Sequence, residues 1–167
     1  MTIDEAIQQT KWESQLQRAV VNVLYTSRCL EAQSGRVLRE HGLTSPQFNV
    51  LRILRGQKGK PASVKLLTER MLDPSSNASR LVDKLLEKGL VERATCPNDR
   101  RAVEVRITRS GAELLERLDE PARSWLPPSE HFPESDSRRL CELLDRLRDA
   151  LPKTATRTET ENEGEPS

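Results

Sequence analysis

Aromatic residues are scarce in this sequence, and long apolar runs are missing from it. The 167-residue chain has two Trp, two Phe and one Tyr, so a hydrophobic core must be built from Leu, Val and Ile. No apolar run approaches the roughly 18 residues that a transmembrane helix needs. The first residues, MTIDEAIQQT, include no apolar stretch of the kind that a secretion signal requires. The sequence therefore predicts a protein with neither a membrane span nor a secretion signal.

Cysteine and histidine are also rare, which limits the chemistry open to the chain. Cys29, Cys96 and Cys141 are odd in number and widely spaced, so they indicate neither a disulfide framework nor a metal-binding pair. A reduced, cytoplasmic protein is the natural interpretation. The two histidines, His41 and His131, are isolated and do not supply a zinc site. No GxSxG, HExxH, GxGxxG or P-loop motif is present, so the sequence favours a non-enzyme without metal or cofactor.

Charge is distributed unevenly along the chain, although the net charge is only +1. Residues 43–109 carry fourteen basic and seven acidic side chains, a net charge of +7. Residues 110–167 carry eight basic and fourteen acidic side chains, a net charge of −6, and residues 1–42 are neutral. A basic middle of this kind is typical of a module that binds a polyanion within a larger scaffold. The alternative is a chance distribution on a charge-rich surface.

The N-terminal part of the chain predicts one long helix over residues 12–40, ended by His41-Gly42. Apolar or small residues recur along it at the spacing of a coiled-coil seam: Leu16, Val20, Val23, Ser27, Leu30, Ser34 and Val37. Such a stripe needs a partner. Cys29 lies in this helix and is interpreted as a buried small hydrophobe.

The C-terminal part predicts two more helices and a tail. The first helix follows Ser110-Gly111, continues to Trp125 and should be kinked by Pro121. The last helix, over about residues 134–151, places five leucines on one face: Leu140, Leu143, Leu144, Leu147 and Leu151. Cys141, beside this stripe, is interpreted as structural. Residues 152–167 are rich in Thr and Glu and predict a disordered tail.

The basic middle of the chain predicts three helices and a β-hairpin. The first helix has Ser45 as its N-cap and Pro46 at its first position, and Ser63 caps a second, short helix. Asp73-Pro74 predicts a tight turn before a third helix over residues 74–88. The buried stripe of this third helix is Ala78, Leu81, Val82, Leu85 and Leu86. The alternation of Val103, Val105 and Ile107 with charged residues predicts a strand that pairs with the segment from Leu90.

The order of the predicted elements is helix, short helix, tight turn, amphipathic helix and hairpin. This order predicts a mainly α fold with a small β-wing, the winged helix-turn-helix. A helix fits the major groove of duplex DNA, and short polar side chains on its first turns can reach base edges. The residues predicted to bind DNA there are Ser75, Ser76, Asn77, Ser79, Arg80 and Lys84. The hairpin loop would bring Arg100 or Arg101 to the adjacent minor groove.

Three segments resemble the MarR family of bacterial transcription regulators: LTSPQFNVLRIL (43–54), SSNASRLVDKLLEKGLVER (75–93) and NDRRAVEVRITRSGAELL (98–115). The second resembles the recognition helix of the family, followed by the first wing strand. The third resembles the wing signature, an Asp-x-Arg before an alternating strand and a Thr-x-x-Gly. Pro121 departs from the family pattern, in which the helix that follows the wing is continuous.

The resemblance implies a homodimer on a pseudopalindromic operator of double-stranded DNA. Residues 1–42 and 110–151 would then be dimerisation helices, and residues 43–109 the DNA-binding region. It implies that Arg80 contacts DNA, that Arg101 enters the minor groove and that Asp99 pairs with an Arg to hold the wing. Many members release DNA when a small phenolic or anionic effector binds.

Two alternatives stay open from the sequence. A thiol-based redox regulator would use Cys96 in the wing loop, where Arg100 and Arg101 favour the thiolate. Cys29 does not match the sensing position of the family. The other alternative is a winged-helix module that binds proteins and not DNA, against which the presence of Asn77, Arg80 and Arg101 argues.

Overall fold

The computed structural model describes residues 1–73, 75–95, 103–124 and 126–152. The chain divides into two compact units, Met1–Leu126 and Pro127–Ser167. The described helices are α1 (Ile3–Ile7), α2 (Gln15–Glu40), α3 (Ser45–Gly56), α4 (Val64–Arg70), α5 (Ala78–Glu87), α6 (Arg109–Arg123) and α7 (Glu134–Asp149). The described strands are β1 (Ala62–Ser63), β2 (Val91–Thr95) and β3 (Val103–Ile107). None of the described helices is long and apolar enough to cross a membrane.

The three strands form one antiparallel sheet in the order β1–β3–β2. The hairpin pairs Val91 with Ile107 at one end and Thr95 with Val103 at the other. The two residues of β1 pair with β3, Ala62 opposite Val105. The sequence-based prediction of a mainly α fold with a small β-wing is confirmed, whereas β1 was not predicted.

The core of the first unit is built from aliphatic side chains, as the scarcity of aromatics requires. Its members come from the end of α2, from α3 to α6 and from all three strands. They are Leu38, Leu43, Val50, Leu51, Ile53, Leu54, Ala62, Leu67, Met71, Ala78, Val82, Leu85, Val91, Val105, Leu114, Leu115 and Leu118. This core fixes the position of α5 and of the hairpin.

The helix α2 begins at Gln15, not at residue 12, because Ser14 caps it by accepting a hydrogen bond from the Gln17 N–H. In α2, which the structure describes throughout, the buried residues are Gly35 and Leu38 near its end. Further towards its start, large apolar side chains are exposed: Leu16, Val23, Leu24 and Leu30. Cys29 is exposed as well, which contradicts its interpretation as a hydrophobe buried within the single chain.

A short helix that was not predicted, α1, is attached to the start of α2. A capping box between Thr2 and Glu5 starts it. The Asp4 carboxylate accepts hydrogen bonds from Trp12 Nε1 at 2.7 Å and from Arg18 Nη2 at 2.8 Å. Ile3 is buried. The attachment of α1 therefore consists of an ion pair to α2 and one buried apolar side chain.

The N-cap of α3 lies one residue earlier than predicted. Thr44, not Ser45, is the N-cap, and Pro46 lies in the first turn. Gln47 completes a capping box, since its Oε1 accepts from the Thr44 N–H at 3.1 Å. Among the described residues, Gln47 is the polar residue that is buried. Its Oε1 also accepts a hydrogen bond from Lys88 Nζ at 3.2 Å.

The helix α6 begins where the hairpin ends, with Thr108 as N-cap. The Thr108 hydroxyl donates to the Gly89 carbonyl at 2.8 Å and accepts from the Gly111 N–H at 3.1 Å. Pro121 lies in the last turn, and the helix ends at Arg123. The predicted continuation to Trp125 was therefore wrong, since the helix stops within two residues of Pro121, whereas the predicted kink at Pro121 stays a prediction.

The second unit contains α7, which begins at the predicted residue and ends at Asp149, two residues before the predicted end. Within the described part of this unit no side chain of α7 is buried, and Leu140 and Leu143 are exposed. Cys141 is exposed too, which contradicts a role in packing within the single chain. The predicted tail from residue 153 onward lies outside the described residues.

Candidate nucleic-acid interface

The helix α5 begins at Ala78 rather than at residue 74, because side chains before it bind the backbone and one another. The Asp73 carboxylate accepts hydrogen bonds from the Ser75 hydroxyl at 2.6 Å and the Ser76 hydroxyl at 2.8 Å. It also accepts from the Ser75 N–H at 3.0 Å. Local bonds of this kind compete with helix formation. The bonds from Ser75 and then Ser76 hold the pKa of Asp73 below its usual value, so the carboxylate stays ionised beside the helix start.

Asn77 is the N-cap of α5, and its Oδ1 accepts from the Arg80 N–H at 3.0 Å. The cap satisfies one of the amides that a helix start leaves without a partner. It also fixes the orientation of the side-chain amide. Asn77 therefore has a structural role that its prediction as a DNA-binding residue did not include.

The two faces of α5 differ as predicted. Ala78, Val82 and Leu85 are buried, while Asn77, Ser79, Arg80 and Lys84 are exposed. A depression of about 280 Å³ lies on the exposed side, lined by Ser76, Asn77, Arg80, Leu81 and Lys84. The structure thus brings four of the six residues predicted on this helix around one depression. Ser75 and Ser79 are exposed nearby but do not line it.

One acidic residue, Asp83, interrupts the basic face of α5, and the wing supplies its partner. Arg93 on β2 donates from Nη2 to Asp83 Oδ1 at 3.0 Å. The guanidinium offsets a negative charge that would otherwise repel phosphate, and it links α5 to the hairpin. Both side chains are more than half exposed, so the pair stabilises the fold little. Arg93 was not predicted, because its partner lies ten positions away on another element.

Polar side chains hold α5 at both ends. Before it, Asn49 Oδ1 on α3 accepts from the Leu72 N–H at 2.9 Å. After it, Lys88 Nζ donates to the Gly42 carbonyl at 2.5 Å. The two bonds connect the residues before and after α5 to α3 and to the α2–α3 junction. Neither contact has a sequence signal, since each joins residues more than twenty positions apart.

A second ion pair fixes α3 against α6. Arg55 donates to both oxygens of Asp119, at 2.9 and 3.0 Å, and Arg52 lies 4.0 Å from the same carboxylate. The hydrogen bond from Arg55, helped by the charges of Arg55, Arg52 and Arg123, outweighs burial and lowers the pKa of Asp119.

The loop of the wing carries the remaining sequence-predicted residues. Cys96, Asp99, Arg100 and Arg101 lie outside the described residues, so their roles stay predictions. Among the described residues, no group of three or more His, Cys, Asp or Glu side chains could hold a metal ion.

This arrangement defines a winged helix-turn-helix protein: α4 and α5 form the two-helix motif, and β2 and β3 form the wing. The MarR family model matches residues 41–102, which include α3, α4 and α5. The HTH-type transcriptional regulator YkoM of Bacillus subtilis (strain 168) is 30% identical over 111 residues, 64% of this chain and 70% of YkoM. The chain belongs to the MarR family.

Two further proteins are similar to it. The transcriptional repressor MprA of Escherichia coli (strain K12) is 27% identical over 110 residues, and the aligned part spans 62% of each chain. A crystal structure of a mutant MarR from E. coli, complexed with operator DNA, has a TM-score of 0.67 and 21% sequence identity. It covers 86% of this chain and 100% of that chain. At this identity the likeness concerns the fold.

Proposed function

We propose that this protein is a sequence-specific DNA-binding transcription regulator that acts as a homodimer on a pseudopalindromic operator. The observation that carries the proposal is the exposed face of α5, where Asn77, Arg80 and Lys84 surround one depression. A cationic helix face with short polar residues at its start has the chemistry that the major groove requires. The mutant MarR of E. coli, whose crystal structure contains operator DNA, supports the same use of the fold.

The homodimer is supported by apolar side chains that the single chain leaves in solvent. Leu16, Leu24 and Leu30 on α2 are between two fifths and two thirds exposed. In the second unit Leu140 and Leu143 are each nearly half exposed. Exposed apolar groups recurring on one helix are typical of association surfaces. The proposed interface is therefore built by α2 and by the helices of residues 110–151.

Repression and release by a small effector complete the proposal. MprA is named a transcriptional repressor. A compound that binds the free protein better than the DNA-bound protein would release the operator. The family resemblance favours a small phenolic or anionic compound as that effector. Titration of phenols and aromatic carboxylates against the bound operator tests this part separately, since displacement of the DNA requires differential binding to the free protein.

The DNA-binding proposal is tested by selecting genomic fragments with the purified protein and measuring the affinity of the selected duplex. Arg80→Ala should weaken specific binding by about 1–3 kcal/mol. The Asn77 cap bonds the backbone of residue 80 and is retained in this variant. Unchanged affinity would contradict the placement of α5 in the groove.

Arg148→Ala is the matched control. Arg148 is an exposed arginine in the last turn of α7, outside the proposed DNA-binding region, and it pairs with Asp145. Its loss should leave operator binding within about twofold, because it removes no proposed contact to DNA and an exposed ion pair on one helix contributes only about 0.3–0.5 kcal/mol to stability. The salt dependence separates DNA binding from a protein-interaction module: a DNA binder shows a steep log–log slope, and an interaction module a flat one.

A further inference from the structure

We infer that Leu81 is a specificity-determining residue that recognises the 5-methyl group of thymine in the operator, an inference that rests on the proposed function. The sequence places Leu81 in the buried stripe of α5. The structure instead leaves it half-buried, with part of its side chain packed against the core and part lining the depression on the exposed face.

The residues that line the depression indicate which chemical groups Leu81 would contact together with its neighbours. Ser76, Asn77, Arg80 and Lys84 are polar or cationic, and Leu81 is the apolar residue among the five. The positions of Asn77, Arg80, Leu81 and Lys84 follow the spacing i, i+3, i+4 and i+7, which places them on one side of a helix. An apolar group is therefore held between donors that suit phosphates and base acceptors.

Thymine is the base that fits this combination. It presents a methyl group in the major groove next to an acceptor oxygen, whereas cytosine presents a donor and no methyl group. An arginine, a lysine or an amide nitrogen can donate to the acceptors, but none of them gains from contact with a methyl group. Leu81 gains by removing that methyl group from water. Its packing against the core also limits the side-chain entropy that binding would cost.

The test replaces thymines of the selected operator by deoxyuridine, one at a time, which removes the methyl group and keeps base pairing. The wild-type protein should bind about fourfold more weakly when one or two particular thymines of each half-site are replaced, the effect of exposing about one buried methyl group. Leu81→Ala should bind the thymine and uracil duplexes equally. Leu81→Gln, which keeps the side-chain length and ends in an amide, should do the same where the alanine variant is unstable.

Leu86→Ala is the matched control, because Leu86 lies on the same helix, is half-buried and packs against the same core. It should lower the unfolding temperature as Leu81→Ala does, yet keep the fourfold preference for thymine. The inference is overturned if no thymine replacement weakens wild-type binding, or if the folded Leu81 variants retain the preference. A wild-type protein that selects no genomic fragment contradicts the proposed function itself, and this inference with it.

Discussion

Gly111 shows how a single missing side chain can set the geometry between two elements. A Cβ at this position would collide with the Leu90 carbonyl oxygen and lie 2.9 Å from Ile107 Cγ1. The first turn of α6 therefore passes too close to the hairpin for any other residue. The Thr-x-x-Gly of the wing signature is explained in this way: Thr108 caps the helix, and Gly111 permits the approach.

We expect Gly111→Ala to destabilise the protein by about 1–3 kcal/mol, the usual cost of overpacking, and to lower its thermal midpoint at fixed protein concentration. Gly56→Ala is the control. It lies at the end of α3, where an added Cβ meets nothing within 4 Å. Alanine there should be neutral or slightly stabilising. Equal midpoints for the two variants would contradict the close approach.

Asn77 combines a helix cap with a candidate contact to DNA, and the two roles can be separated. Asp is as good an N-cap as Asn, so Asn77→Asp should keep the unfolding temperature of the wild type. It should weaken operator binding, because a carboxylate repels phosphate and cannot donate to a base. Asn77→Ala should lose about 1 kcal/mol of stability as well. Wild-type affinity in a folded Asn77→Asp protein would show that Asn77 acts only as a cap.

Between elements, the ion pair of Arg55 with Asp119 makes stability depend on pH. Because folding lowers the pKa of Asp119, the pair stabilises the fold above the unfolded pKa of about 3.9. This contribution is lost as pH falls through the lower, folded value. Asp119→Asn should therefore be less stable than the wild type near neutrality, and the difference should shrink as the pH falls below the unfolded pKa towards the lower, folded one.

Urea unfolding at fixed protein concentration, from pH 7 down to pH 3, measures this difference. Asp73 also has a lowered pKa, but it is present in both proteins and cancels in the comparison. Asp145→Asn is the control, since Asp145 pairs with Arg148 on the same exposed helix. It should change stability little at any pH. A constant difference between Asp119→Asn and the wild type would exclude a titrating pair.

The wing loop gives a second prediction between elements. If Asp99 holds the wing, Asp99→Ala should weaken operator binding, although it removes a negative charge near phosphate. Arg101→Ala should weaken binding most where the operator flank is A·T-rich, because a narrow minor groove concentrates negative potential. Arg100→Ala should act uniformly across flanks, as a phosphate contact does. Tighter binding by a folded Asp99→Ala protein would exclude a structural role for Asp99.

Helices α2 to α7 and the hairpin could be predicted from the sequence because their apolar residues recur periodically, whereas α1 and the features set by distant contacts could not. The stripe through Ala78, Val82 and Leu85 locates α5, but its start depends on Asp73 binding two serines. Two residues of β1 carry no periodic signal and depend on pairing with β3. The exposure of Cys29 could not be predicted, because it depends on what covers α2.

In the candidate site, residue types and positions on α5 were predictable, and their partners were not. Arg80 and Lys84 follow from helical spacing alone. The pairing of Arg93 with Asp83 and the bond of Asn49 to Leu72 need the folded chain, since each crosses between elements. Leu81 belongs to the apolar stripe by spacing, yet its position at the border of that stripe decides what it contacts.

At the scale of the molecule, the exposed stripes predict that the C-terminal helix is needed for a stable assembly. Deleting residues 137–167 should give aggregating or unstable protein, because the apolar stripe of α7 would be lost from the proposed interface. Light scattering and thermal unfolding measure the outcome. Deleting residues 153–167 should change neither, since that segment has no large apolar residue. A folded, monomeric protein from the longer deletion would contradict the proposed interface.

The bond between Lys88 and Gly42 has a consequence for the spacing of the operator. It joins the end of α5 to the residue that follows the α2 C-cap, which couples the position of α5 to that of α2. In the proposed dimer, the crossing of two α2 helices would therefore set the distance between the two recognition helices. Half-sites on one face of B-DNA are about 34–36 Å apart, centre to centre. Adding one base pair between the half-sites would therefore strain the pairing of the two α2 helices, which lie far from every base that the protein contacts.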